Sequence, residues 1–479
     1  MKKKRPPIVV ILGSVDHGKT TLLDHIRKTN IADRESGGIT QSIGAYEIVH
    51  NGEKITFIDT PGHAAFTAMR TRGCRCADIG VLVVAADDGV KPQTKESIAT
   101  LKKAALPFVV AINKIDRPGA SAEKVKTELT QAQVLLEGHG GNISYQEISA
   151  KTGKGVNELL DLILLTAEVE ELTFEPSGPL QGFIIESHLD KRQGMIASTV
   201  IKNGTIEVGD EIHAGQTSGK VKSLVDFTGH RLQSATASSP VQILGLATLP
   251  KVGDTLGAGA TTVTPAAPPE IIGETNDANR QEESFGLILR ADVSGSLEAL
   301  NQIIAGISAG HHASQDNYPL IRIIDQGVGE INDGDVKLAV STKAVVVGFR
   351  TKVSKAAENV ARAQEIKIIN SDIIYDLIKE IELMLESRRE RAVTGRLKIL
   401  RNFGEKDNYQ IIGGQVTEGL INNKSALEIM RNETMIGLGT VVNLQKDKGD
   451  VTTVAADHEC GLLFDSKTLI RINDILIAH

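Results

Sequence analysis

Ile8-Val9-Val10-Ile11-Leu12-Gly13-Ser14-Val15-Asp16-His17-Gly18-Lys19-Thr20-Thr21-Leu22-Leu23 passes without a break from a short apolar run into a glycine-bearing turn and then into residues of helical texture. The turn over 13–20 fits G-x-x-x-x-G-K-[ST], and it lies between a strand expected over 8–12 and a helix expected over 22–28, the setting that a phosphate-cradling loop requires. Glycines let successive backbone N–H groups curl round phosphates at a helix N-terminus. Lys19 reaches the β and γ oxygens and the Thr20 hydroxyl coordinates magnesium, while Gly13, Val15, Asp16, His17, Gly18 and Thr21 complete the predicted cradle.

Further apolar, β-branched runs at 55–58, 81–85 and 108–112 are separated by segments of helical length, which predicts buried parallel strands in an α/β P-loop domain with a doubly wound, mostly parallel sheet over 1–172. A P-loop alone does not distinguish ATP from GTP, nor a kinase from a switch. The ends of the other strands do. Asp59-Thr60-Pro61-Gly62 offers a carboxylate that holds magnesium through water and a Gly62 N–H that senses the γ-phosphate. In Asn113-Lys114-Ile115-Asp116 the Asp116 carboxylate can accept from the ring N–H and the exocyclic amine of guanine; adenine has neither donor there, and an unpaired carboxylate is costly. Ser149-Ala150-Lys151 places backbone donors near the guanine carbonyl. Any one of these is also an ordinary surface turn. In this order on successive strand ends they predict GTP and GDP as ligands with magnesium.

From 179 to 256 the texture changes to short alternating strands with turns such as Asn203-Gly204, predicting a β-barrel, with domain bounds of 173–257. A linker rich in Gly, Ala, Thr and Pro follows over 258–283. Residues 284–370 alternate strands (285–289, 344–349) with helices (297–304, 356–364), predicting a small three-layer α/β domain. Ile374, Leu377, Ile378, Ile381 and Leu385 recur at helical spacing, predicting a long connecting helix over 371–391, and 392–479 reads as a C-terminal β-barrel.

At 479 residues three or four domains are expected, from roughly 100–200 residues each. The 53 basic and 60 acidic residues leave a charge of -7, so any RNA contact must come from local basic patches. Three cysteines build no disulfide framework, and Cys74 and Cys76 lack the further ligands of a zinc site, which predicts a reducing, cytoplasmic setting. No apolar run approaches the roughly 20 residues that span a bilayer, so no membrane partner is expected.

Gly37-Gly38-Ile39-Thr40 and Asp59-Thr60-Pro61-Gly62-His63 resemble the two switches of translational GTPases. That resemblance implies that Thr40 completes the magnesium shell when the γ-phosphate is present and that His63 positions the attacking water. It also makes Val15 and Ile39 an apolar gate that holds the histidine back until the ribosome reorders the switches. The stretches 39–46, 62–66 and 84–94, with Arg290-Ala291-Asp292-Val293-Ser294-Gly295-Ser296 and Gly327-Val328-Gly329-Glu330, are similar to bacterial translation initiation factor 2, and the likeness spans nearly the whole chain. It implies a ribosome-stimulated GTPase that promotes binding of initiator formylmethionyl-tRNA to the small ribosomal subunit and joining of the large one, as a monomer that also meets other initiation factors. An elongation-type aminoacyl-tRNA carrier, or an RNA- or ribosome-tethering module with negligible hydrolysis, is the alternative.

The sequence departs from the family pattern in two places. That family commonly carries a long N-terminal extension, whereas the P-loop here begins at residue 13, implying either a short form or an extension that has been removed. In the pocket for the formylmethionyl end, Glu459, Cys460 and Gly461 are retained and Lys446 and Lys448 supply charge. Gly414, however, stands where the family has cysteine, and 445–448 replaces a basic-aromatic-basic stretch, so the planar fork of an arginine is lost. Arg388, Arg389, Arg391, Arg396, Lys398 and Arg401 form a basic cluster that fits either a solvated helix end or RNA contact.

Overall fold

The computed structural model describes residues 2–28, 44–62, 66–259, 284–313, 318–387, 393–406, 409–432, 434–447 and 449–478. They pack as two compact units, Met1–Ser308 with Leu320–Leu383, and Ala309–Pro319 with Met384–His479.

The first unit opens with a six-stranded sheet in the spatial order Gly44–His50, Glu53–Asp59, Ile8–Gly13, Ile79–Ala85, Phe108–Asn113, Tyr145–Glu147. All are parallel except Gly44–His50, an antiparallel edge strand that the apolar-run reading did not include. Strand alternation explains the unbroken apolar runs. Val10, Leu12, Leu82 and Val84 face one core and Val9, Ile11, Val81 and Val83 the other, each roofed by helices. Ile8–Gly13 lies between strands that run out in opposite directions along the sheet, so Gly13, Asp59 and Asn113 all emerge at the crevice where such folds bind ligands. The first helix, Lys19–Arg27, starts earlier than its apolar spacing suggested, because Gly18 at φ 85 takes the left-handed turn from which it springs.

Gln181–Asp190, Gly194–Asn203, Pro240–Leu246, Thr217–Asp226, Glu211–Ala214 and Thr255–Ala258 close into a six-stranded barrel. Ile184, Ala197, Ile201, Val221 and Ile243 fill it, while Ile185 and Val200 face outward into the core of the first sheet. Beside that seam Asp78 accepts two bonds of 2.6 Å from the Arg5 guanidinium and one of 2.5 Å from Lys202 of the barrel. Burial alone would push the Asp78 carboxyl up, but the Arg5 fork and the Lys202 charge outweigh it and hold it below the usual carboxylate range. Asp78→Ala leaves Arg5 and Lys202 without their acid partner and is expected to cost about 3–5 kcal/mol. Because the folded pKa is depressed, this contribution is complete above the unfolded carboxylate value of about 3.9 and is lost as pH falls through the folded one. Urea unfolding at pH 7 should therefore separate variant from parent, and the difference should begin to shrink as pH falls below about 3.9.

Ser284–Ala291 is flanked by Leu320–Val328 and Val345–Phe349, with Ile368–Ser371 outermost, in a four-stranded parallel sheet packed by helices Asp333–Thr342 and Lys355–Ala363. Helix Ser294–Ala313 follows the first of these strands and is longer than the 297–304 segment expected. Its first turn meets the barrel. Buried Glu186 accepts from Gly295 N at 3.0 Å and Ser187 N at 2.9 Å, Ser187 Oγ and Ser294 Oγ are 2.8 Å apart, and burial pushes the Glu186 carboxyl up to about 7.

Helix Ile374–Ser387 holds the last unit boundary, between Leu383 and Met384. Arg388, Arg389 and Arg391 lie outside the described residues. In the second unit Gly395–Lys406, Ile475–Ala478, Ala426–Arg431, Thr434–Lys446, Glu459–Asp465 and Tyr409–Asn422 close a second six-stranded barrel around Leu397, Ile412, Leu427, Val441 and Phe464. Closure satisfies every sheet edge internally, which suits a chain with so few aromatics to cover one.

Candidate nucleotide site

The loop between Ile8–Gly13 and Lys19–Arg27 is shaped by contacts that only glycine permits. A Cβ on Gly13 would stand 2.3 Å from Val83 O, and one on Gly18 would stand 2.4 Å from Asn113 Nδ2. Lys19 is buried and donates to Gly13 O at 3.0 Å and Ser14 O at 2.7 Å. Burial is the main force lowering its ammonium to about 8, with the Asp59 charge opposing. Asp16 (φ 61) and Thr21 are exposed, and Val15 and Thr20 are half-buried. The His17 ring turns inward. Nδ1 is 3.3 Å from Val83 O and Nε2 3.5 Å from Asp88, and burial lowers its pKa, so His17 packs the loop from beneath.

Asn113 joins the two halves of the site. Its Nδ2 donates to His17 O at 2.9 Å and its Oδ1 accepts from Ala150 N at 2.9 Å, tying the phosphate loop to the loop over 149–151. Lys114 takes φ 65, which turns the chain back and brings Asp116 to the rim. Ser149 Oγ donates to Asp116 Oδ1 at 2.6 Å, and this bond is the chief cause holding the carboxyl below its ordinary range. Lys151 is exposed beside it.

At the other end, Thr60 Oγ1 donates to Ile11 O at 2.7 Å and fixes the turn after buried Asp59. Gly62 lies over the phosphate loop, where an added Cβ would be 2.5 Å from Lys19 Nζ and 3.1 Å from Val15 N. Asp59 and Thr20 are hard oxygen donors on either side of Lys19, the kind magnesium takes, and they fit that ion once phosphate and water oxygens complete its shell. Thr40, Ile39 and His63 lie outside the described residues.

Side chains that the motifs did not single out complete the phosphate end. Gln93 reaches Ser14 and Val15, and Arg70, hardly exposed at 1%, reaches Pro61 O at 3.2 Å. Neither belongs to a spacing pattern. Gln93 falls within the stretch over 84–94 and is distinguishable there only by its place in space.

Residues 4–168 match the family model described as Elongation factor Tu GTP binding domain, 179–259 match Elongation factor G domain 2, and 270–382 match Translation-initiation factor 2. Translation initiation factor IF-2 of Bacillus subtilis (strain 168) is 41% identical over 501 residues, covering 99% of this chain and 68% of that protein. The chain belongs to the translation initiation factor IF-2 family. The IF-2 proteins of Carboxydothermus hydrogenoformans and Desulforamulus reducens are each 39% identical, and the chain spans 59% and 50% of their respective lengths. Among solved structures, the crystal structure of GDP-bound aIF5B from Aeropyrum pernix is 25% identical, covering 99% of this chain and 92% of that one with a TM-score of 0.46.

The residues expected to form a formylmethionyl pocket lie on paired strands of the second barrel. Gly414 faces Cys460, Gly413 faces Gly461, and Gln445 faces Gly461 from the other side. Cys460 is a core residue whose thiol is pushed up to about 11 by burial, while Glu459 is exposed and Lys446 half-buried. Lys398 O would stand 2.5 Å from a Cβ on Gly414, so this backbone has no room for the family's cysteine there. Lys448 lies outside the described residues. Of the basic cluster, Arg396 and Lys398 alternate outward on Gly395–Lys406, and Arg396 is paired with Glu418 at 3.2 Å.

Proposed function

We propose that this chain is a GTP-hydrolysing initiation factor. It promotes binding of initiator formylmethionyl-tRNA to the small ribosomal subunit and joining of the large one, and GTP hydrolysis drives its release. The observation that carries the reading is the Asp116 carboxylate, held ionised by Ser149 on a loop that Asn113 ties to a phosphate cradle. Asp116 reads guanine. The backbone N–H groups from Asp16 to Thr21 and the Lys19 ammonium take the phosphates, and the Ala150 and Lys151 segment bounds the base. Thr20 and Thr40, with Asp59 through water, would hold magnesium, which when bound neutralises charge on the β- and γ-phosphates. No covalent enzyme intermediate is required. The initiator end docks on the second barrel near Lys446, Lys448, Glu459 and Gly461, with Cys460 packing from inside. The protein works as a cytoplasmic monomer beside other initiation factors. No helix among the described residues is long and apolar enough to cross a membrane.

Two measurements test this. Multiple-turnover GTP hydrolysis should be slow alone and rise with ribosomes; turnover that ribosomes leave unchanged points to a tethering module. Binding of the whole chain to formylated and unformylated initiator tRNA at two salt concentrations should favour the formylated form. Equal binding would remove the pocket near Lys446 from the reading.

Lys19 gives the nucleotide site a pH signature. Its pKa of about 8 in the free protein rises when polyphosphate pairs with the ammonium, so binding above pH 8 takes up a proton. Once the GDP phosphates are fully ionised, affinity should fall as pH rises through 8, by up to about tenfold per unit above it. Titrations in two buffers of different ionisation enthalpy measure the proton uptake; a flat profile to pH 9.5 refutes it.

A further inference from the structure

The first turn of helix Pro92–Lys103 reaches both walls of the phosphate end of the site. Gln93 Oε1 accepts from Ser14 Oγ at 2.9 Å and from Val15 N at 2.9 Å. Three residues on, and so on the same helical face, Glu96 Oε1 accepts from Thr67 Oγ1 at 2.6 Å and from Arg70 at 2.7 Å. The Arg70 guanidinium then donates to Pro61 O at 3.2 Å, directly before Gly62. One helical turn therefore tethers Val15 by a direct bond and Gly62 through Arg70. Those two residues face each other, since a Cβ on Gly62 would be 3.1 Å from Val15 N.

The turn is itself stiff. Pro92 opens the helix, Lys91 N donates to Thr94 Oγ1 at 3.2 Å, Ser97 Oγ donates to Gln93 O at 2.9 Å, and Ile98 and Leu101 are buried in the core. The Glu96–Arg70 pair couples a buried guanidinium to a half-exposed carboxylate, so losing the acid leaves a buried cation to find a new partner.

We infer that Gln93 and Glu96 are positioning residues that set the gap between Val15 and Gly62, and with it the preference of the site for a nucleoside triphosphate over the diphosphate. This rests on the GTP-binding reading above. The β-phosphate is taken by the N–H groups at the start of helix Lys19–Arg27 and the base by Asp116, neither of which the brace touches. Gly62 packs against Val15 here, so only a terminal phosphate has to displace it, and the brace sets how that wall closes again on the phosphate. Val15 N–H is committed to Gln93, so Val15 contributes by where it stands and not by donating to phosphate.

The test is the ratio of GTP to GDP dissociation constants in the whole chain. Gln93→Met keeps length and removes the one oxygen that accepts both bonds, and it is expected to weaken GTP roughly tenfold, the scale of one or two lost hydrogen bonds, with GDP changed less than about threefold. Glu96→Ala, at a position partly open to solvent, should shift the ratio the same way and carries the test should Gln93→Met not fold. Glu96→Gln, which keeps an oxygen for Thr67 and Arg70, should restore most of the ratio. Equal weakening of both nucleotides would make Gln93 a mere staple of the loop and overturn the inference, as would an unchanged ratio in both variants. A parent chain that binds neither nucleotide, or binds ATP equally well, would instead fail the GTP-binding reading, and the inference with it.

Discussion

Asp116→Asn is expected to weaken GTP by roughly two to three orders of magnitude while leaving the grip on phosphate intact. The carboxylate can accept from both the ring N–H and the exocyclic amine of guanine, whereas an asparagine turns an N–H₂ donor towards one of those donors and leaves a hydrogen bond unmade. Ser149 Oγ still finds an oxygen at 2.6 Å, so the loop should keep its shape and the variant should fold as the parent does. Xanthosine triphosphate, with a carbonyl where guanine has the amine, should gain on the variant. Competition among GTP, ATP and xanthosine triphosphate reads all of this at once. GTP affinity within threefold of the parent would mean that Asp116 does not face the base.

His63→Ala is expected to abolish ribosome-stimulated hydrolysis and to leave GTP affinity within about twofold, the signature of a group that acts on the transition state alone. His63 directly follows Gly62, which lies against Lys19 Nζ. An imidazole there can orient a water in line without holding the nucleotide. Single-turnover hydrolysis with saturating ribosomes, beside equilibrium GTP binding, separates the two effects. Unchanged turnover would leave His63 a surface histidine, and a large loss of affinity would make it part of the binding site.

Motifs with fixed backbone chemistry were legible in the chain. Gly13, Gly18 and Lys19 advertise their turn, and the run over 8–12 advertises a strand covered on both faces. Both barrels followed from turn spacing, but not their closure, which depends on pairings between strands far apart in the chain, such as Thr255 with Phe183 and Leu256 with Ala214. The antiparallel edge strand Gly44–His50 escaped notice because Glu47 breaks its apolar residues into two pairs, leaving no continuous run. Among site residues, Gln93, Glu96 and Arg70 were hidden because their meaning lies in reaching another element's backbone. Strand alternation places Cys460 as well, since Leu462 and Phe464 share its face, all three pointing into the core.

Asn113 fixes a length. With one side of its amide on His17 O and the other on Ala150 N, it holds the base reader and the phosphate cradle at a set separation, like the beam of a caliper. Guanosine alone or pyrophosphate alone can satisfy one jaw only and must bear the whole entropic cost of binding with half the contacts. Joined in one molecule, the second contact forms at the high effective concentration set by the ribose between them. On the proposed assignment of base and phosphate ends, the site measures its ligand end to end, and a nucleotide of the right parts but the wrong span should bind little better than its fragments.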